Sequence, residues 1–203
     1  VLVSCMYFPN THLIPGTVAG MEGNHQNAGI SVKNNQISIS SVSQINGNTW
    51  RGYGIEVQGA WVSDSSKAQA KGIPAGIYKE TGVEVKGNMI TGTGNGIRLY
   101  LADGCTVEDN QLKLQKTASF SNMGIYLSAS SKNAIKDNQV SGCKNVGIYA
   151  YDGGKLGTPS TENQVLDNVI SGIGGDGILM ENGSDRCEVS RNRIFSGKKN
   201  GIV

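Results

Sequence analysis

The sequence predicts an all-β solenoid of about six coils, in which a unit of short strands repeats along the chain. Two markers carry this prediction: a Gly-Ile pair and an Asn among aliphatic residues, which alternate strictly and recur roughly every 22–30 residues. The Gly-Ile pairs begin at Gly54, Gly96, Gly124, Gly147, Gly177 and Gly201; the Asn markers are Asn35, Asn88, Asn110, Asn138, Asn168 and Asn192. The 29 glycines among 203 residues are also too many for a helical protein.

Each predicted coil holds three short strands. The first begins at the Gly-Ile pair, and because side chains alternate between the faces of a strand, every second residue turns inward. These inward pairs are Ile55/Val57, Ile97/Leu99, Ile125/Leu127, Ile148/Ala150 and Ile178/Met180. The second strand ends at the Asn, a residue that tolerates the left-handed conformation of a tight turn and can stack its amide. The third strand supplies Ile90, Leu112, Val140, Ile170 or Ile194.

This pattern resembles the right-handed parallel β-helix family, which includes pectate-lyase-like proteins, phage tailspikes and the repeats of alginate epimerases. The resemblance covers about residues 29–203. It implies a right-handed, single-stranded parallel β-helix and points to carbohydrates, without specifying an activity.

Residues 1–28 fit no coil, and we expect them to be an irregular lead-in or the end of preceding coils. Insertions that interrupt the repeat are predicted at 38–53, 59–82 and 152–162. Because solenoids need capped ends and the sequence stops at the start of another coil, we expect a piece of a longer chain, or an end covered by another subunit or domain.

Composition argues against two classes of partner. The net charge of +2 gives no basic field for nucleic acid, and the lack of a long apolar run predicts no membrane span.

Cys105 and Cys187 belong to one inward row, three coils apart, or roughly 14 Å at the spacing of β-strands. A disulfide needs Cα atoms within about 7 Å, so we expect free, buried thiols.

The outward positions of the first strand carry the candidate binding residues. They form two rows, Glu56, Arg98, Tyr126, Tyr149 and Leu179, and then Gln58, Tyr100, Ser128, Tyr151 and Glu181. Trp50 and Trp61 lie in flanking insertions. Aromatic faces beside carboxylates and amides suit a groove for sugar rings. The alternative is a stack of tyrosines that reflects β propensity on a solvated sheet.

Two acidic groups are the catalytic candidates. Glu56 and Arg98 are predicted neighbours on adjacent coils, with Glu80 available from an insertion; the alternative is a surface ion pair worth under about 1 kcal/mol. Asp152 and Glu181 are expected on adjacent coils, with Cα atoms about 6 Å apart. Paired carboxylates about 5–9 Å apart can cleave a glycosidic bond, whereas a lyase needs a base such as Lys, Arg or Tyr. Alternatively, these two are solvated acids.

Catalytic signatures of the family's enzymes are absent from the sequence. It lacks the Asn-x-Asp, Asp-Asp and Gly-His-Gly set of polygalacturonases, the Arg-x-Pro-x-x-Arg segment of pectate lyases and the Asp-Pro-His element of the epimerases. Asp109, Asp137 and Asp167 precede Asn markers and are most simply turn residues. We assign no metal and no cofactor.

Two functional hypotheses follow. The first is a glycan-binding β-helix that also degrades polysaccharide, as a glycoside hydrolase or polysaccharide lyase, at the virion surface or outside the cell. The second is a non-catalytic fibre, adhesin or receptor-binding module. The partner in the first is a polysaccharide or cell-surface glycan, and the tailspike resemblance admits a homotrimer.

Overall fold

The computed structural model describes residues 1–4, 29–39, 43–45, 48–50, 52–62, 76–116, 121–152 and 157–203. All regular elements in these residues are strands, and most belong to three six-stranded parallel sheets. Each coil contributes one strand to each of the three sheets in turn, which makes the chain a parallel β-helix. Residues 5–28 are outside the described residues, so a division of the chain near residue 28 stays a prediction.

The three sheets are built as follows. Sheet A contains β1 (Leu2–Ser4), β6 (Tyr53–Gln58), β12 (Asn95–Tyr100), β16 (Ile125–Ser128), β19 (Ile148–Tyr151) and β22 (Ile178–Met180). Sheet B contains β2 (Ser31–Lys33), β10 (Glu84–Lys86), β14 (Thr106–Glu108), β17 (Ala134–Lys136), β20 (Gln164–Leu166) and β23 (Glu188–Ser190). Sheet C contains β3 (Gln36–Ile39), β11 (Met89–Gly92), β15 (Gln111–Leu114), β18 (Gln139–Ser141), β21 (Val169–Ser171) and β24 (Arg193–Phe195).

Shorter pairs lie at the corners and in the insertions. β9 (Glu80–Thr81) pairs with β13 (Ala102–Asp103) in parallel. Two antiparallel hairpins occur between sheet strands: β4 (Ser43–Ile45) with β5 (Asn48–Trp50), and β7 (Ala60–Val62) with β8 (Gly76–Tyr78). The first hairpin precedes a strand of sheet A, and the second follows the same strand.

The predicted aliphatic column forms the core under sheet A. Five isoleucines align in register and none exposes any surface: Ile55, Ile97, Ile125, Ile148 and Ile178. Burial of each is worth about 1.5–3 kcal/mol. The preceding glycine has a steric cause, since a Cβ on Gly124 would lie 2.4 Å from the Gly147 carbonyl oxygen of the next coil. Only glycine lets the coils approach this closely.

The Asn markers form one ladder along the axis, as predicted. The amide of Asn110 donates to Asn138 Oδ1 at 2.9 Å, and that of Asn138 donates to Asn168 Oδ1 at 3.0 Å. The expectation of a left-handed Asn was wrong, because the positive φ falls one residue earlier, as at Asp109 (55°) and Asp137 (56°). The Asn side chain is then free to turn inward and hydrogen-bond the neighbouring coils.

The inward cysteine row contains a second buried ladder that the sequence analysis did not predict. Between Cys105 and Cys187 stand Asn133 and Asn163, and the Asn133 amide donates to Asn163 Oδ1 at 3.0 Å. Cys105 is a free, buried thiol, and burial raises its pKa to about 11. Cys187 is free but only partly buried, because it lies near the end of the helix where fewer coils cover it.

Candidate functional site

The outward residues of sheet A lie in the two predicted rows, which we call the sheet A strip. Register pairs Glu56 with Arg98, Arg98 with Tyr126, and Tyr126 with Tyr149. The second row pairs Gln58, Tyr100, Ser128 and Tyr151 in succession. Adjacent coils therefore bring residues that are far apart in sequence to within one strand spacing, about 4.8 Å.

Three tyrosines form a compact aromatic cluster at the centre of the strip. The ring centroids of Tyr126, Tyr149 and Tyr151 lie 5.4–5.6 Å apart in all three pairs, with planes inclined by 11–17°. Such offset stacking is worth about 0.5–1.5 kcal/mol per pair beyond the area buried. The cluster therefore holds its rings in fixed positions.

We expected Tyr126 to be an exposed ring on the outer face of sheet A. It does point outward, but it is nearly buried. It is only 9% exposed, because Met123 and Val146 pack against it from the corners where the chain enters sheet A. Tyr149 and Tyr151 are partly buried and border this small outer core. They are the rings of the cluster that a ligand could reach, and Tyr126 supports them from beneath.

Burial raises the pKa of three phenols of the strip above the ordinary value of about 10. It raises the pKa of Tyr149 to about 12, and the carboxylate of Glu181, which hydrogen-bonds this phenol, adds to the effect. Burial also raises the pKa of Tyr126 and of Tyr100. Neutral phenols can stack and donate hydrogen bonds, but they are poor bases.

Arg98 joins Glu56 of the preceding coil to the aromatic rings. Its Nη1 lies 2.7 Å from Glu56 Oε1, and its guanidinium carbon lies 4.4 Å from the Tyr100 ring centroid. The rings of Tyr53 and Tyr126 are also close, at 5.3 and 5.8 Å. Planar guanidinium groups stack on aromatic faces and bind carboxylates in this way.

Tyr53 is a member of this site that the sequence analysis missed. Strict alternation would turn it inward, because it stands two residues before the inward Ile55. The alternation instead breaks at Gly54, and Tyr53 packs against the outer cluster. Met123 and Val146 stand at the same position before their isoleucines and behave in the same way, so this position is outward in three coils.

Glu181 and Asp152 lie together at the opposite end of the strip from Glu56 and Arg98. The Glu181 amide donates to the Ala150 carbonyl oxygen at 3.1 Å, which places it beside the residues that end β19. Asp152 directly follows Tyr151, the last residue of β19. The charge of both carboxylates raises the pKa of Tyr149. The four catalytic candidates thus form two separate pairs with the tyrosine cluster between them.

The residues predicted in the insertions differ in their exposure to solvent. Glu80 is fully buried at an inward position of β9, so the expectation that it is available to a ligand was wrong. Trp61 is 58% exposed on the β7–β8 hairpin, opposite the exposed Ile77. This hairpin leaves the coil at Gly59, beyond the carboxyl end of β6. Trp50 ends β5, and its side chain is outside the described residues.

One group of carboxylates outside the strip has metal-like spacing. In the described part of the chain, Glu108, Asp109 and Asp137 place oxygens within 4.8 Å of one another. Lys86 lies 3.2 Å from Glu108 and 3.4 Å from Asp109, and Lys136 lies 3.5 Å from Glu108. The two lysines offset two of the three negative charges, so the group forms an ion network on the outer surface.

Residues 28–203 match a family model described as a right handed beta helix region. This match spans most of the chain, so the chain belongs to that family, and the predicted fold is confirmed. Searches of curated proteins and of solved structures found no match. The fold therefore defines a β-helix protein of the carbohydrate-active or structural type.

No helix in the described residues has the length and apolar character needed to cross a bilayer.

Proposed function

We propose that this protein binds a polysaccharide or cell-surface glycan along the sheet A strip and hydrolyses it there. The cluster of Tyr126, Tyr149 and Tyr151 carries the proposal. Aromatic rings held in place stack on the C–H faces of sugars with little loss of conformational entropy on binding. The flanking carboxylates and amides supply partners for the sugar hydroxyls.

The proposed orientation of the glycan is along the helix axis. Tyr100 and Tyr151 stand in one outward row, with the small Ser128 between them. A sugar unit is close in length to the strand spacing of about 4.8 Å, so successive units would meet successive coils. Trp61 and Asp152 follow the carboxyl ends of two strands of sheet A and would lie on that side of the glycan.

Hydrolysis fits the strip better than elimination. In hydrolysis, one carboxyl group of Asp152 and Glu181 would protonate the glycosidic oxygen, and the other would act as base or nucleophile. A lyase needs a base that removes a proton next to a uronate carboxylate, together with a cation that neutralises that carboxylate. The raised pKa of Tyr149 disfavours it as this base, and Arg98 is already bound to Glu56.

The second candidate function is a non-catalytic fibre, adhesin or receptor-binding module. The pairing of Glu56 with Arg98 favours it, because this ion pair is satisfied within the fold without any ligand. In either case we propose that the protein acts outside the cell or at a virion surface, and a homotrimer is the assembly to test.

A polysaccharide panel tests the proposal. Binding is measured directly, and turnover is followed by reducing ends for hydrolysis and by absorbance of unsaturated products for elimination. In Glu181→Gln and Asp152→Asn, turnover should fall about 100-fold or more while affinity changes little. The matched control is Glu188→Gln, which removes an exposed carboxylate from sheet B. Binding without products from any glycan would support the non-catalytic module.

A further inference from the structure

We infer that the sheet A strip selects glycans without carboxylates, made of uncharged or amine-bearing sugars, over chains of uronates; this inference rests on the proposed function. The strip carries three acidic side chains at its two ends, Glu56, Glu181 and Asp152. Among the described outward residues of sheet A, the cation is Arg98, and the Val1 ammonium lies near Glu56 at the same end. The strip and its adjoining acid therefore have a net negative charge, although the whole chain carries +2.

Arg98 is not available to a uronate. Its Nη1 is bound to Glu56 at 2.7 Å, and the side chain is only 22% exposed between the rings of Tyr53 and Tyr100. Glu56 holds Nη1, and Nε is buried with no hydrogen-bond partner among the described residues. A uronate that approached this guanidinium would either displace the Glu56 carboxylate, leaving a partly buried charge without its partner, or lie beside it and be repelled by its like charge. Both outcomes are unfavourable.

Lys79, which follows β8, is also paired. Lys79 Nζ lies 2.8 and 3.0 Å from the two carboxylate oxygens of Asp103. Both side chains are partly buried, with 22% and 28% exposure, so solvent screens this pair less than a fully exposed one. Lys79 therefore offers no ready cation to a glycan carboxylate.

The other end of the strip favours positive charge. Asp152 directly follows Tyr151, and the Glu181 amide donates to the Ala150 carbonyl oxygen at 3.1 Å, so both acids lie at the end of the strand that carries Tyr149 and Tyr151. Aromatic faces with adjacent carboxylates attract an ammonium group and repel a carboxylate, over a range of about 10 Å at 0.1 M salt. A free amine on a sugar stacked there would meet both kinds of group.

Two pairs of matched probes test this inference. The first pair is oligogalacturonate and its methyl ester; the second is an N-deacetylated and an N-acetylated glucosamine oligomer. We expect the ester to bind several-fold more tightly than the acid, and the amine form at least as tightly as the acetylated form. Tighter binding of oligogalacturonate than of its ester would overturn the inference while leaving the proposed function intact. No binding of any probe or of the polysaccharide panel would remove both.

A charge-releasing variant makes the test independent of the natural ligand. Glu56→Gln removes the partner of Arg98, so affinity for oligogalacturonate should rise about tenfold, as for one charge-assisted hydrogen bond. The control is Glu84→Gln, which releases Lys33 from an ion pair of the same length, 2.7 Å, on sheet B. A rise in both variants, or in neither, would overturn the role assigned to Arg98. Thermal unfolding verifies that both variants fold.

Discussion

The side-chain amide of Asn138 donates to Asn168 Oδ1 at 3.0 Å, on the next coil and fully shielded from water. Asn138 Oδ1 in turn accepts from both the backbone and the side-chain amide of Asn110. Each Asn of the ladder therefore hydrogen-bonds the turn of its own coil and a neighbouring coil. Because an Asn recurs at this position, the buried amides find partners on adjacent coils, and the stability of each turn depends on the stacking of the coils.

Replacement of Asn138 by alanine should destabilise the helix by about 2–4 kcal/mol. The buried backbone amide of Asn110 loses its acceptor, and the carbonyl oxygens of Val107 and Lys136 lose the Asn138 amide as a donor. Chemical denaturation of the purified variant measures this change. Asn35→Ala is the control, since Asn35 stands at the partly exposed first position of the ladder and donates to Asn88. An equal loss in both variants would show that the ladder is not the source of the effect.

Gly124→Ala should destabilise the protein by about 1–3 kcal/mol or more, because overpacking forces the coils apart. The added Cβ would lie 2.3 Å from a Val140 methyl carbon and 2.4 Å from the Gly147 carbonyl oxygen. Gly197→Ala is the matched control, with nothing within 4 Å of its added Cβ. Thermal melting of the two variants compares them directly, and a neutral Gly124→Ala would contradict the close approach of the coils.

The fold was predictable because the features that define it repeat. The inward isoleucines and the Asn ladder recur in every coil, so period-two alternation assigned them correctly. The second ladder at Asn133 and Asn163 was not predicted, because it occupies only two coils and its row continues with cysteines. Two or three copies of a feature do not stand out from chance in a single sequence.

The site was only partly predictable, because outward direction does not fix exposure. Alternation correctly placed Tyr126 outside the core, but Met123 and Val146 cover it from corners where alternation breaks at a glycine. The expectation for Glu80 was wrong for a related reason: within the predicted insertion 59–82, this residue already belongs to a strand that pairs with the next coil, and its side chain is fully buried. Such corners depend on backbone geometry that no residue pattern in this sequence reports.

Tyr126→Ala should cost about 3 kcal/mol of stability, since the ring is nearly buried and its loss leaves a cavity. Tyr149→Ala should cost less, because Tyr149 is partly exposed at the border of the same cluster. Denaturant unfolding of the two variants measures the difference. Equal stabilities would mean that Tyr126 is as accessible as the sequence first suggested.

The phenol of Tyr149 makes stability depend on alkaline pH. Burial and Glu181 raise its folded pKa to about 12, whereas a tyrosine in an unfolded chain ionises near pH 10. The folded state keeps the proton longer, so this contribution is full below about pH 10 and is lost as pH rises through about 12. The free energy of unfolding should fall across this range.

In Tyr149→Phe, that fall should be shallower, because the group that titrates is gone while the ring remains. Absorbance of the phenolate during a pH titration should also lose one late-titrating tyrosine. Identical pH profiles in the wild type and the variant would place the Tyr149 phenol in an ordinary aqueous environment.

The most direct test of the glycan-binding strip is the affinity of one bound oligosaccharide for three proteins: wild type, Tyr149→Ala and Phe195→Ala. Phe195 is an aromatic side chain of sheet C with 50% exposure, so it controls for the loss of any surface ring. We expect Tyr149→Ala to bind roughly threefold to tenfold more weakly, as lost stacking predicts, and Phe195→Ala to match the wild type. Unchanged affinity in Tyr149→Ala, or a loss confined to Phe195→Ala, would contradict a glycan site on sheet A.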